Sequence, residues 1–188
     1  MQAVLPYTAR QFGRGIIMPN LKEPVTTAAE AEKYRHRITE ALLEENISSF
    51  TPLMTAYLTD LTEANDIESG FHEGIFAAAK MYPANSTTNS ARGVSDIKRL
   101  GTVLRKMEDV GMPLLIHGEV TDPEIDVFDR EAIFIQRVLT PLLSKFPNLK
   151  IVLEHITTSD AVDFIRSMKG RVGATITAHH PVSYTHLR

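Results

Sequence analysis

Two histidines follow apolar segments at matching positions of this 188-residue sequence. His117 follows "MPLLI", His155 follows "KIVLE", and Lys80 ends a third apolar segment, "IFAAA". Imidazole is a usual ligand of catalytic zinc, and a buried lysine has a lowered pKa that makes its amine nucleophilic. The matching positions favour a shared metal site over the alternative that each histidine only hydrogen-bonds to nearby loop backbone.

Several uses are open for Lys80. Its amine could form a Schiff base, as in an aldolase, or react with carbon dioxide to give a carbamate that bridges two metal ions. The structural alternative is an amine that reaches the rim of the sheet or pairs with Glu119 or Glu154. Asn20 ends another apolar segment and could bind a substrate carboxylate, or it could be an ordinary turn residue after Pro19.

Six short apolar segments alternate with helical patterns and would position these side chains. The predicted strands are 14–20, 50–59, 74–83, 112–120, 149–157 and 171–179. Strict alternation of strands and helices predicts a parallel sheet, whose functional groups lie at the carboxyl ends of its strands. The sixth segment ends in His179 and His180. Both an open doubly wound sheet and a barrel are possible, but no G-x-G-x-x-G follows the first strand.

The predicted helices have recognisable ends. Thr27 and Glu30 form a capping box at the start of a helix that runs to about residue 46. Ser95 is predicted to cap a second helix that stops at Gly111, and Ser159 a helix that ends near residue 170. Apolar residues at helical spacing predict another helix over 124–145, and a weaker pattern covers 62–73.

Composition limits the possible locations and partners. The net charge of −3 gives no electrostatic support for binding to nucleic acid or to an anionic membrane. The absence of cysteine excludes disulfides and thiolate metal sites and fits a reducing compartment. No apolar run is long enough to span a membrane, and the start "MQAVLPYTARQFG" does not have the pattern of a signal peptide. We therefore expect a cytoplasmic protein.

Long segments of the sequence resemble dihydroorotases of the bacterial, shorter-chain type, which belong to the amidohydrolase superfamily. These segments are "RGIIMPNLKEPVTT", "TPLMTAYLTD", "AAAKMYPANSTTNS", "MPLLIHGEVTDPEIDVFDRE" and "LEHITTSDAVDFI". The resemblance implies an α/β fold, an incomplete (β/α)₈ TIM-type barrel with about six of eight β–α units present. It also implies reversible cyclisation of N-carbamoyl-L-aspartate to L-dihydroorotate in pyrimidine biosynthesis.

The resemblance also implies a ligand set. Two Zn²⁺ ions would be bridged by carboxylated Lys80, with His117 and His155 as ligands of the second zinc. Asn20 and His117 would contact the small-molecule substrate, and the full-length parent is expected to be a homodimer.

The sequence departs from the family pattern at both ends. No His-x-His followed by an arginine precedes Asn20, and no segment supplies the Asp of the last barrel strand that acts as general acid/base. We therefore expect a partial hydrolase barrel over 1–180, a tail outside the family pattern over 181–188, and little or no activity of this polypeptide alone. The alternatives are a non-catalytic remnant, another cyclic-amide hydrolase such as a hydantoinase, and a Schiff-base aldolase.

Overall fold

A six-stranded parallel sheet, curled into a half-barrel, forms the centre of the computed structural model, which describes residues 4–178. The strands are β1 Arg14–Ile17, β2 Thr51–Tyr57, β3 Ala78–Met81, β4 Leu114–His117, β5 Ile151–Glu154 and β6 Val172–Ala174. The helices are α1 Leu5–Ala9, α2 Ala28–Glu44, α3 Ala64–His72, α4 Gly101–Val110, α5 Arg130–Phe134, α6 Thr140–Lys145 and α7 Ser159–Ser167. All six predicted strands are therefore present, each shorter than its apolar segment.

The strand order distinguishes a barrel from an open doubly wound sheet. Neighbouring strands follow the order of the chain from β1 to β6, and every pair is parallel. A doubly wound sheet would instead reverse its strand order at a switch point. The sequential order is that of a barrel wall, and it confirms the predicted incomplete TIM-type barrel.

The core lies on the central strands and the helices that pack on them. All four residues of β3 and the first three residues of β4 are buried. From α4, Val103, Leu104 and Met107 join the same core because their spacing places them on one helix face. Burying each such side chain contributes roughly 1.5–3 kcal/mol. This packing holds the carboxyl ends of β3, β4 and β5 in a fixed relation.

The capping box at the start of α2 is confirmed. The Thr27 hydroxyl accepts a hydrogen bond from the backbone N–H of Glu30 at 3.3 Å, and the Glu30 carboxylate accepts from the backbone N–H of Thr27 at 3.0 Å. Partial burial acts to raise the pKa of Glu30, but the hydrogen bonds from Thr26 and Thr27 together hold that pKa below its usual value. Local sequence determined this helix start because all the partners are close neighbours along the chain.

The predicted caps at Ser95 and Ser159 are wrong by one residue. Asp96 caps the short 3₁₀ helix Ile97–Leu100, because the Ser95 hydroxyl donates to the carboxylate of Asp60 instead. Thr158 caps α7, with its hydroxyl accepting a hydrogen bond from the backbone N–H of Ala161. Both shifts are accompanied by a tertiary contact, because Asp60 binds the Ser95 hydroxyl and Glu131 accepts a hydrogen bond from the Thr158 hydroxyl.

The predicted helix over 124–145 begins later than expected. Asp122 and Asp126 accept hydrogen bonds from backbone N–H groups two residues further on, and these local turns delay the helix until residue 130. The helix then continues through a π-helical segment, Ile135–Leu139, into α6. Helix α1 was not predicted. His179, His180 and the predicted tail 181–188 lie outside the described residues.

Candidate metal centre

The sheet register brings the predicted site residues to one edge. Lys80 lies within β3, His117 is the last residue of β4, and His155 follows the end of β5. His117 is aligned with Glu154, so His155, the residue after β5, lies beside the end of β4. His117 and His155 are therefore in contact at the carboxyl edge of the sheet, and Lys80 pairs with Glu154, which precedes His155.

The imidazole rings of His117 and His155 are in contact. Nδ1 of His117 lies 3.1 Å from Nε2 of His155, and the rings meet edge to face with their centroids 4.7 Å apart. Two nitrogens bound tetrahedrally to one zinc ion at about 2.0–2.1 Å would lie about 3.3–3.4 Å apart. The observed 3.1 Å is close to this spacing and is also that of a hydrogen bond between the two rings.

A carboxylate lies on the far side of the His117 ring. Nε2 of His117 lies 3.3 Å from Oε1 of Glu119. A carboxylate at one ring nitrogen favours a proton on that nitrogen and leaves the lone pair on the other. The contact therefore favours the tautomer in which Nδ1, the atom that faces His155, is available as a ligand.

Lys80 is enclosed. Its side chain is 1% exposed and forms an ion pair with Glu154, and its Nζ lies 4.8 Å from the centre of the Tyr82 ring. Burial holds the pKa of the Lys80 amine below its usual value of 10.5, while the charge of Glu154 opposes that effect. Of the predicted structural alternatives, the pairing with Glu154 is present, and the amine does not reach the solvent. A lowered pKa increases the fraction of neutral amine, the form that can react with carbon dioxide or a carbonyl.

Tyr82 connects Lys80 to the histidine pair. Its ring lies 6.0 Å from that of His117 and stacks on Tyr57 at 5.3 Å between centroids. Burial, the nearby Glu154 carboxylate and Tyr57 all raise the pKa of Tyr82 above its usual range. The phenol therefore stays protonated and is directed at the sulfur of Met18, 3.7 Å away.

The backbone of His155 has an unusual conformation. Its φ is +46°, in the left-handed region that residues other than glycine seldom adopt. The backbone N–H of His155 donates to the Thr175 hydroxyl at 2.8 Å, and that of Ile156 donates to the Thr175 carbonyl at 3.0 Å. Such strained residues concentrate at functional sites, where the surrounding structure holds them.

Asn20 lies apart from the histidine pair and contacts the polar loop that follows β3. Its side-chain amide donates to the carbonyl of Thr88 at 3.2 Å, and the side chain of Asn89 donates to the Asn20 carbonyl at 2.9 Å. Tyr57 adds a hydrogen bond from its hydroxyl to the Asn89 carbonyl at 3.1 Å. Asn20 is therefore tied to this loop at the same edge of the sheet.

The donor set fits a metal ion only in part. Among residues 4–178 no group of three or more His, Cys, Asp or Glu side chains could hold a metal. A cavity of about 110 Å³ adjoins both histidines and is lined by Glu119, Glu131 and Thr157 among others. Carboxylation of Lys80 would add anionic oxygens, which are donors that bind zinc together with imidazole.

One buried carboxylate was missed in the sequence. Glu131 on α5 binds the segment that follows His155. Its signal was its helical spacing from Ile135, Val138 and Leu142, which places a lone acid on the apolar face of the predicted helix.

Known proteins resemble the chain both in sequence and in structure. It is 57% identical over 180 residues to a dihydroorotase of Parasynechococcus marenigrum and 59% identical to one of Cupriavidus pinatubonensis, with 96% of this chain and 52% of each relative covered. The chain thus spans about half the length of the curated relatives that it matches.

Within residues 4–178, no helix has the length and apolar character needed to cross a membrane.

Solved structures show the same relationship. The dihydroorotase of Campylobacter jejuni superposes with a TM-score of 0.84 at 38% identity, covering 95% of this chain and 50% of that one. The Saccharomyces cerevisiae dihydroorotase, solved with 5-fluoroorotic acid, gives a TM-score of 0.84 at 32% identity, covering 95% and 52%. An L-hydantoinase of Arthrobacter aurescens gives 0.69 at 16% identity, covering 90% and 41%, and shares the fold alone.

The sequence profile described as "Amidohydrolase family" matches residues 3–186, nearly the whole chain. The sheet that it covers has the barrel-wall strand order, with the paired histidines at its carboxyl edge. By this match the chain belongs to the amidohydrolase family.

Proposed function

We propose that this chain provides one half of a dihydroorotase active site, which interconverts N-carbamoyl-L-aspartate and L-dihydroorotate in de novo pyrimidine biosynthesis. The observation that carries the proposal is the approach of His117 Nδ1 to His155 Nε2 at 3.1 Å, beside a buried lysine, in a chain 57% identical to a dihydroorotase. The substrate is a small cyclic amide or its open form, and the reaction is a reversible hydrolysis.

The proposed cofactor is a pair of Zn²⁺ ions, with His117 and His155 holding one of them and carboxylated Lys80 joining both. When bound, the ions polarise the substrate carbonyl and lower the pKa of a water molecule. The Lys80 ammonium group would first lose one proton to give the neutral amine, which would form an N–C bond to carbon dioxide and lose a second proton. This change replaces a cation by an anion at Nζ, so the ion pair with Glu154 would be lost.

Asn20 and His117 are proposed to contact the substrate. The Asn20 amide, which donates to the Thr88 carbonyl, would donate instead to a substrate carboxylate. His117 lies on the cavity beside the paired nitrogens and can orient the part of the substrate nearest to them. In this arrangement Asn20 and His117 would contact the substrate at two positions along the carboxyl edge of the sheet.

The remaining parts of the proposal concern location and assembly. We place the enzyme in the cytoplasm, in agreement with a chain that has no cysteine, and we propose a homodimer for the full-length parent. Residues 1–180 would form the partial hydrolase barrel, with 181–188 outside it. The polypeptide alone is expected to have little or no activity, since residues 4–178 contain no complete group of three metal-ligating side chains.

The test joins this chain to the matching remainder of the Parasynechococcus marenigrum relative and measures hydrolysis of L-dihydroorotate. The joined protein is expected to be active, and Lys80→Ala and His117→Ala should each reduce kcat/KM by at least about 100-fold, or about 2.8 kcal/mol. His36→Ala and His72→Ala are the controls, because both histidines are exposed on helices, where they lie beside Glu40 and Glu68 respectively.

Two results would contradict the proposal. One is activity of His117→Ala at the level of the unaltered protein. The other is a joined protein that hydrolyses hydantoin but not dihydroorotate, which would support the hydantoinase alternative. Trapping of a keto substrate on Lys80 by borohydride would instead support the aldolase alternative.

A further inference from the structure

We propose that Glu131 is a positioning residue for His155, and that it holds the backbone turn which aims the His155 ring at His117. The inference rests on the proposed metal site. Glu131 does not touch the ligand atoms themselves. It acts through the two residues that follow the turn, Thr157 and Thr158.

The carboxylate of Glu131 is buried and fully engaged. The residue is 8% exposed, and its oxygens accept hydrogen bonds from the backbone N–H of Thr157 at 3.2 Å and of Thr158 at 2.9 Å. The Thr158 hydroxyl is a third donor. Within the described part of the chain Glu131 forms no ion pair, so these donors are the observed partners of its carboxylate. Hydrogen bonds to an ionised acceptor are roughly twice as strong as those between neutral groups.

These bonds fasten the beginning of α7 to α5. Thr158 is the N-cap of α7, and its hydroxyl oxygen also accepts from the backbone N–H of Ala161 at 3.2 Å. A negative charge near the start of a helix is favourable because the first N–H groups carry partial positive charge. Glu131 therefore fixes the point at which the chain leaves the His155 turn.

The turn at His155 has a conformation that neighbouring contacts must stabilise. His155 has its φ at +46°. A left-handed conformation of this kind is sterically unfavourable for a residue with a side chain. Thr175 holds the turn from the β6 side through the His155 N–H, and Glu131 holds it from the other side, two and three residues later. Released on one side, the backbone can relax toward an ordinary conformation and move Nε2 away from His117.

The location of Glu131 links it to the site rather than to α7 alone. Thr158 already caps the helix, so the helix start does not require a second acceptor. Glu131 also lines the cavity of about 110 Å³ that both histidines border. The carboxylate therefore lies between this cavity and the segment that follows His155.

Glu108 is a matched control beside the same strand. Its side chain is 5% exposed, it pairs with Arg105, and its Oε1 accepts a hydrogen bond from the backbone N–H of Asn148 at 2.7 Å. Asn148 precedes β5, whereas the residues held by Glu131 follow it. Both carboxylates thus hold a loop next to β5, but only one of these loops contains a proposed metal ligand.

The experiment titrates Co²⁺ into the full 188-residue chain and follows its visible absorption, with the urea midpoint measured in parallel. Glu131→Gln is expected to weaken Co²⁺ binding by about 10-fold or more, the usual effect of removing a group that orients a ligand. Glu108→Gln is expected to lower the urea midpoint while changing Co²⁺ affinity by less than about twofold.

The outcomes separate this inference from the proposed metal site. If His155→Ala leaves Co²⁺ binding unchanged, the metal site itself is wrong. If His155→Ala abolishes binding but Glu131→Gln does not weaken it, or if Glu108→Gln weakens it equally, the role of Glu131 is overturned. Should Glu131→Gln not fold, Glu131→Asp decides: it keeps the charge, shortens the reach, and is expected to bind Co²⁺ more weakly than the unaltered chain, whereas equal binding overturns the role.

Discussion

Two loops at opposite ends of the sheet have a similar left-handed backbone conformation but different residues in it. At the amino end, α4 stops at Gly111 with φ at +72°, and the chain turns into β4. At the carboxyl end, the chain leaves β5 through His155 with φ at +46°. Glycine adopts such angles without steric strain, whereas histidine does not. The turn at Gly111 thus has the residue that the backbone prefers, and the turn at His155 has a residue that a metal would need.

The residues next to Gly111 and His155 also differ between the two turns. Gly111 is followed by Met112, which is fully buried in the core, while His155 is preceded by Glu154, which pairs with the buried Lys80. The turn at Gly111 is thus next to an apolar core residue, and the turn at His155 is next to a buried ion pair. Proteins often show a conflict between stability and function at their sites.

The largest effect on stability is expected at the amino end. Met112 is fully buried and Val127 is exposed. Met112→Ala should lower the free energy of unfolding by about 2–5 kcal/mol, because it leaves a cavity in the core. Urea titration measures this loss, and Co²⁺ affinity under folded conditions should stay the same. Val127→Ala is the control, since a surface change should alter stability by no more than about 0.5 kcal/mol. A Met112→Ala chain as stable as the control would show that the core does not lie there.

His155→Gly gives the carboxyl-end turn the residue found at the amino end. Co²⁺ affinity should fall by at least about 100-fold, equal to about 2.8 kcal/mol, because one imidazole is lost. The free energy of unfolding should rise by about 0.5–1 kcal/mol, since backbone strain at this positive φ is relieved. His117→Ala is the matched variant: it should lose the metal without the gain in stability. A loss of stability in His155→Gly would contradict the strain argument.

Gly111→Ala is the reverse change at the amino end. It places a Cβ in a left-handed conformation and should lower the free energy of unfolding by about 1 kcal/mol. Chemical denaturation tests this value, and Co²⁺ binding is expected to be unaltered because no proposed ligand is near. An unchanged unfolding free energy would mean that the helix end can relax without strain.

The smallest expected effect is a pH dependence from Lys80. Burial places the pKa of its folded form below the 10.5 of the exposed amine. Between these two values the unfolded chain binds more protons than the folded one, so the free energy of unfolding should rise with pH through this window, relative to Lys80→Met. The comparison is made by urea titration without metal or bicarbonate, which keeps the amine unmodified. Parallel pH curves for the two chains would show that Lys80 is not desolvated.

Patterns within short stretches of the sequence predicted most of the fold. The apolar segments became β1–β6, and the capping box of Thr27 and Glu30 opened α2 as expected. Lys80, His117 and His155 were selected because each ends an apolar segment, and parallel strands bring such residues to one edge. The shift of two helix caps, from Ser95 to Asp96 and from Ser159 to Thr158, shows where local patterns are insufficient, because both shifts are accompanied by contacts with distant carboxylates.

Local periodicity and the direction of the strands were therefore enough to predict the six strands and the edge at which the proposed site residues lie. Which atoms face each other at that edge depends on contacts between distant parts of the chain. The approach of His117 Nδ1 to His155 Nε2 follows from the register of β4 and β5. The hydrogen bond from the Thr158 backbone N–H to the Glu131 carboxylate joins α5 to the start of α7. Such contacts depend on how helices pack against the sheet, which no local pattern specifies.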